Sequence, residues 1–198
     1  MELRAEFEHP VHDLIRRRWS PRAFADRPVE PEKLCSLLEA ARWAASSFNE
    51  QPWSFLVATR DQSDVFERMV GCLMEGNVPW ASKAPVLLLS VAKLSFNRND
   101  KPNRHALHDV GLSVGNLCLE ATAQDLFVHQ MAGFHVDKAR EAFGIPDACE
   151  PVAMIAVGYL EHAGDSPHES PPRDRKPLGD FVYTGAWGSV ASLVQDTP

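Results

Sequence analysis

Arg16, Arg17, Arg18 and Arg22 stand close together in the chain, with Trp19, Ser20 and Pro21 between them. Planar guanidinium groups grip phosphate oxygens bidentately, and a serine hydroxyl adds a further bond, so this segment suits an anionic phosphate. The plainer reading is a solvated basic helix end, which also suits the helix dipole. A second segment runs Ala45, Ser46, Ser47, Phe48, Asn49, Glu50, Gln51, Pro52, Trp53 and presents hydroxyls and amides on a loop. Asn and Gln offer both donors and acceptors, which suits a flat heterocycle. A helix end and a turn before Pro52 account for the same residues without a ligand. A third cluster, Arg173, Asp174, Arg175, Lys176 and Pro177, lies far away in sequence. It reads either as a charged linker or as a second basic contribution to one phosphate.

The elements that must position these residues follow from periodicity. Helices are expected over about residues 11–18, from about Pro31 through Leu34, Leu37, Leu38, Ala41 and Ala45, over about 62–74, about 105–125 and about 137–143. Pro31 fits a first helical turn, and Gly144 with Pro146 ends the last helix. The 105–125 helix places Leu107, Val110, Val114, Leu117 and Ala121 on one face, with Leu112 and Leu119 off it and Gly111, Ser113 and Gly115 small. A helix apolar nearly all round is normally buried. It suits a subunit interface or an intrachain core equally. Strands are expected over residues 55–59, 85–92 and 152–159, whose near-continuous apolar character fits burial on both faces. Strands interrupted by several helices indicate a layered α/β or α+β domain. The chain reads as one domain over residues 1–198, with 164–198 a linker and C-terminal tail; the proline-rich, charged part is 164–177.

Bulk properties exclude several classes. With 198 residues, 44% of them hydrophobic, the chain can build a real core. Its formal net charge of -7 works against a nucleic-acid binder, which needs a basic face. The apolar run at residues 84–92 is far too short to span a bilayer. The amino terminus has no basic segment followed by an apolar run, so no signal peptide is expected, and a cytoplasmic location is. Cys35, Cys72, Cys118 and Cys149 form no CxxC pair and read as reduced thiols. His105, His108 and Asp109 could ligate a metal from one helix face, as could His9 and His12, but a polar helix start accounts for them and no metal site is assigned. Trp80 and Phe134 are either core residues or pocket lining. Residues 96–104 form a polar loop, a plain surface loop or a lid.

Taken together, these segments resemble the FMN-dependent nitroreductase family. Arg18, Ser20 and Arg22 fit its Arg-x-Ser-x-Arg/Lys signature. Residues 45–53 fit its Ser-Ser-x-Asn-x-Gln-Pro-Trp loop. Residues 76–85, with Asn77 and Trp80, look like the segment leading into its second strand. Met131, Ala132, Gly133 and Phe134 resemble its Met/Ile-x-Gly-Phe turn, and Arg173 with Arg175 resembles its C-terminal basic motif. The blocks run in family order.

The resemblance implies an α+β fold with a central, mostly antiparallel sheet flanked by helices, in an intertwined homodimer whose tails cross to the partner. It implies that Arg18, Trp19 through its backbone, Ser20, Arg22, Arg173 and Arg175 hold the phosphate and ribityl end of FMN. Arg22 would also reach the ring edge. Ser46, Ser47 and Asn49, with Gln51 in the same loop, would contact the FMN held largely by the other chain. Asn77 would face the pyrimidine edge, and the backbone of Met131, Ala132 and Gly133 would approach N5 and O4. A missing Cβ at Gly133 permits that close approach. Ala132 stands where some relatives carry Glu, which removes a charge near N5. The implied reaction passes hydride from NADH or NADPH through the flavin to a small oxidised acceptor, such as a nitroaromatic or a quinone. The cofactor carries the chemistry, so no protein acid, base or nucleophile is assigned. Same-fold alternatives are reductive dehalogenation, flavin cleavage and flavin storage without turnover.

Overall fold

Strands β1 (Trp53–Thr59), β2 (Val86–Lys93), β3 (Phe127–Met131) and β4 (Cys149–Gly158) pair antiparallel in the order β1-β2-β4-β3. The structure is a computed structural model that describes residues 7–161 and 174–194. Its helices are α1 (Asp13–Arg17), α2 (Pro31–Arg42), α3 (Ser63–Gly71), α4 (Val78–Ala81), α5 (Ala106–Ala123) and α6 (Val136–Phe143). This is the expected α+β arrangement of helices about an antiparallel sheet.

The central strand β2 explains the layering. Its side chains alternate between faces. Leu87, Leu89 and Val91 enter one core with Phe66, Met69, Trp80, Phe134 and Met154. Val86, Leu88 and Ala92 enter the other with Leu37, Val110, Val114 and Leu117. One core therefore lies under α3, α4 and α6, and the other under α2 and α5. Pro31 opens α2, and Leu34, Leu37 and Ala41 recur on its buried face. Gly144 adopts the left-handed conformation that closes α6, with φ of 61°.

The structure corrects several expectations. The strand β3 was not foreseen: Phe127, Val128, His129, Gln130 and Met131 mix polar and apolar residues on a short edge strand. The first strand starts at Trp53 and is an edge strand, buried outright at Ala58 rather than covered on both faces. The second helix ends at Arg42, so Ala45 lies beyond it. Along α5, Val110, Val114, Leu117 and Ala121 are buried as expected, but Leu107 is 51% exposed and Leu112 42% exposed. Their side of the helix faces outward in the single chain. Arg173 and most of the 164–177 linker lie outside the described residues. In the tail, a turn pairs Tyr183 with Val190. Among the described residues no helix is long and apolar enough to cross a membrane.

Candidate functional site

The basic segment is extended because the helix before it cannot continue. Pro21 biases Ser20 away from helical geometry. Arg18 caps α1 by donating its backbone N–H to the Leu14 carbonyl. Arg18 Nη1 lies 3.4 Å from Ser20 Oγ, a long contact. The Trp19 ring meets Phe127 edge-on, with centroids 6.1 Å apart. Beyond it, the Pro21 carbonyl lies 2.8 Å from His129 Nδ1. A carbonyl can only accept, so Nδ1 carries the proton. The His129 ring packs on Trp80 with centroids 4.4 Å apart, and the Arg22 guanidinium carbon sits 5.8 Å from a Trp80 ring centre. Burial pushes the His129 pKa below the usual imidazole value, and the Arg22 charge acts in the same direction, while the bonds to Pro21 and Ser20 carbonyls oppose them. His129 carries no signal in the sequence, because β3 has neither a continuous apolar run nor a clean alternation.

The second cluster joins α4 to the turn after β3. Asn77 stands at the N-cap of α4 but makes no capping bond with its side chain. Its Nδ2 instead donates to the Gly133 carbonyl at 2.9 Å, and the Met74 N–H donates to the same oxygen at 3.1 Å. The His135 N–H donates to the Cys72 carbonyl at 2.7 Å. The turn is thus pinned to the chain leaving α3. A Cβ on Gly133 would stand 2.6 Å from Asn77 Nδ2. The expectation for this glycine is close approach of a ring; the chain itself supplies a different reason, the Asn77 side chain. Met131 is buried in the core, so only its backbone is available to a ligand, whereas Ala132 is exposed. Because Asn77 precedes Trp80 on α4, the first and second clusters adjoin.

The hydroxyl-amide loop sits elsewhere. Ser47–Asn49 form a 3-10 turn in which Phe48 and Asn49 both have φ of 55°, and Gln51 has φ of 52°. Left-handed backbone is uncommon for non-glycine residues and a strain for a bulky one. Ser46 Oγ accepts the Gln51 N–H at 3.0 Å, and the Asp109 carboxylate accepts the Ser47 N–H at 3.0 Å. Asp109 is only 2% exposed, a carboxylate buried on α5 to hold this loop. No motif in the sequence marks it for this role. The Arg98 guanidinium lies 4.1 Å over the Phe48 ring, and Glu50 accepts the Asn97 N–H at 2.6 Å. Residues 96–104 therefore brace the loop.

The two groups attach to different ends of α5. The loop engages Asp109, while the Arg18 charge reaches Cys118, a thiol whose pKa burial pushes up and Gln130 and Arg18 pull back. From Asp109 to Cys118 the helix advances about 14 Å. Arg175 donates to the Asp174 carbonyl at 2.7 Å and is exposed. Its expected partner in phosphate binding, Arg173, lies outside the described residues. Among the described residues no group of three metal-ligating side chains gathers, and His105 and His108 are exposed.

The model of the Nitroreductase family matches residues 15–81 and 67–159. The chain belongs to the nitroreductase family. A solved structure described as an oxidoreductase containing FMN is 34% identical, with a TM-score of 0.87, covering 93% of this chain and 96% of that one. A nitroreductase family protein from Clostridium difficile 630 is 26% identical, with a TM-score of 0.70, over 87% of this chain and 96% of its own. The major NAD(P)H-flavin oxidoreductase of Aliivibrio fischeri is 37% identical over 98 residues, which is 46% of this chain and 43% of that protein.

This nitroreductase-family chain carries a donor set suited to FMN. Arg18, Arg22 and Ser20 combine cations and a hydroxyl, as an anionic phosphate requires. The Asn77 amide and the exposed residue Ala132 carry groups of the type that bonds a ring edge. The Trp80 indole N–H, buried beside Arg22 and His129, has no hydrogen-bond partner among the described residues.

Proposed function

We propose that this chain is an FMN-dependent oxidoreductase that uses NADH or NADPH to reduce a small oxidised acceptor, a nitroaromatic, quinone or similar compound. The observation that carries this reading is the junction at α4. Arg22 packs near Trp80 and Asn77 packs on Gly133, so a phosphate-suited segment and a ring-edge-suited turn adjoin on one short helix. The similarity to an FMN-containing oxidoreductase over nearly the whole chain supports it.

Bound there, FMN would supply two-electron redox chemistry between the nicotinamide and the acceptor. The chain's residues orient and tune. Arg18, Ser20 and Arg22 would hold the phosphate end, with Trp19 contributing backbone and Arg175 and Arg173 a second basic contact. Asn77 and the backbone of Met131, Ala132 and Gly133 would face the ring. Ala132 leaves that edge without the carboxylate that a Glu would bring, so protons would come from solvent.

The functional unit in this reading is a homodimer. Three features support it: the outward side of α5, with exposed Leu107 and Leu112; open space above Gly111 and Gly115; and Trp43, 75% exposed at the end of α2. Adjoining exposed apolar residues mark interaction surfaces. Ser46, Ser47, Asn49 and Gln51 would then serve the flavin of the partner subunit, which accounts for their distance along α5 from the Arg18 group. The tail, with exposed Phe181 and Trp187, would cross to the partner. The free thiols of Cys35, Cys72, Cys118 and Cys149 support a cytoplasmic location.

The test is an absorbance spectrum of the purified protein, followed by NADH or NADPH under anaerobic conditions. Flavin bands that bleach with reductant and return with a quinone are expected. A protein that stays colourless after reconstitution with FMN sinks the reading, and bound flavin that no nicotinamide bleaches points to storage.

A further inference from the structure

We propose that His129 is a positioning residue for the flavin phosphate, holding the Arg18-Ser20-Arg22 segment in its binding geometry through the Pro21 carbonyl; this rests on the FMN reading above.

The segment needs an external hold. It lies outside any helix or strand, Ser20 and Arg22 are exposed, and Pro21 lacks the N–H that could tie it into a ladder. The helix it follows in the chain, α1, is only five residues long. The Pro21 carbonyl, midway between Ser20 and Arg22, accepts from His129 Nδ1 at 2.8 Å, across 108 residues of sequence. On the other side Phe24 bridges to Leu160, and the Ala25 N–H donates to the Tyr159 carbonyl at 2.9 Å, so the chain is anchored just after Arg22 as well. His129 is thus the hydrogen-bonded anchor on β3, beside the Trp19–Phe127 ring contact, and the Phe24 bridge the anchor beyond β4.

The imidazole suits this task better than another donor would. Trp80 packs against one of its faces and fixes the ring plane. Arg22 lies close to the same indole, and the ring is partly buried. A lysine donor here would set a second full charge against Arg22. A neutral imidazole donates without adding charge, and burial favours that neutral form. Donation to Pro21 from Nδ1 places the proton of the neutral ring on that nitrogen.

The bond bears on phosphate rather than on the ring. A bidentate grip demands that both guanidinium forks and the hydroxyl share one orientation, and that orientation is set before the ligand arrives. Loss of the His129 bond would free the segment while leaving Asn77, Gly133 and the turn after β3 in place. The distinguishing measurement is therefore the affinity of the apoprotein for FMN against riboflavin, which lacks the phosphate. His129→Met keeps length and apolar packing but removes the donor; His129→Asn keeps an N–H close to the Nδ1 position.

The expected result is that His129→Met weakens FMN binding by about tenfold, the equivalent of one lost hydrogen bond, and leaves riboflavin binding nearly unchanged, while His129→Asn restores most of the FMN affinity. His129→Met binding FMN like wild type, or losing both ligands in equal measure, would overturn the assignment. If wild type binds neither ligand, the FMN reading itself fails; if wild type prefers FMN and His129→Met matches it, only the His129 inference fails. A nitrogen-proton correlation spectrum of wild-type protein at pH 7 tests the bond without any variant. A neutral ring protonated at Nδ1 is expected, and protonation at Nε2 alone would overturn the proposal.

Discussion

The Asn77 side-chain nitrogen both donates to the Gly133 carbonyl at 2.9 Å and fills the space that a Cβ on residue 133 would need, at 2.6 Å. The two residues are therefore coupled within the chain, before any ligand is considered. Gly133→Ala is expected to cost about 1–3 kcal/mol through overpacking, because Asn77 must leave its bond. Asn77→Ala alone is expected to cost about 1 kcal/mol. In the Asn77→Ala background the Gly133→Ala change is expected to cost much less. Urea unfolding of the double-mutant cycle measures this, and strict additivity would show that the two positions do not compete for space.

Leu112 on α5 tests the dimer. Leu112→Glu adds a charge to the outward side of the helix and is expected to leave the fold intact but shift the protein toward monomer. Flavin retention should fall with it, since Ser46, Ser47 and Asn49 act across the interface in the proposed arrangement. Truncation before Gly164 should do the same by removing the tail. Sedimentation velocity together with the flavin-to-protein absorbance ratio reads both. Either variant remaining dimeric and yellow would contradict the part assigned to its residues.

The His129 environment gives a pH dependence with a definite sign. Its folded pKa lies below the ordinary imidazole value of about 6.5, lowered first by burial and also by Arg22. In the window between the two values the unfolded chain binds the extra proton, so stability rises with pH. The contribution is fully present above about pH 6.5 and is lost as pH falls from there through the folded value. Chemical denaturation of the apoprotein across this range should show the loss, and His129→Asn should flatten that part of the profile. A variant profile identical to wild type would assign the dependence to another group.

Periodicity made β2 and β4 legible, because both are buried on two faces and so read as unbroken apolar runs. It also made α2 and α6 legible, through Pro31, the Leu34–Leu37–Ala41 spacing and Gly144. It did not reveal β3, since an edge strand carrying His129 and Gln130 has neither a continuous apolar run nor a clean alternation. The candidate ligand-binding residues were legible by type and by family resemblance: Arg18, Ser20, Arg22, Ser46, Ser47, Asn49, Asn77 and Gly133. The residues that hold them were not. Asp109 donates nothing to a motif, and its role appears only when α5 brings its carboxylate to the Ser47 N–H.

By itself, then, the sequence determined the family, the layered α+β plan and the chemical character of the candidate site, because these depend on residue type and short-range spacing. Tertiary structure alone decided which distant residues meet. Asn77 reaches Gly133 and His129 reaches Pro21 only after α4 and β3 have packed side by side. It also decided that Leu107 and Leu112 face outward, since burial of one side of α5 against α2 and the sheet leaves the opposite side exposed among the described residues.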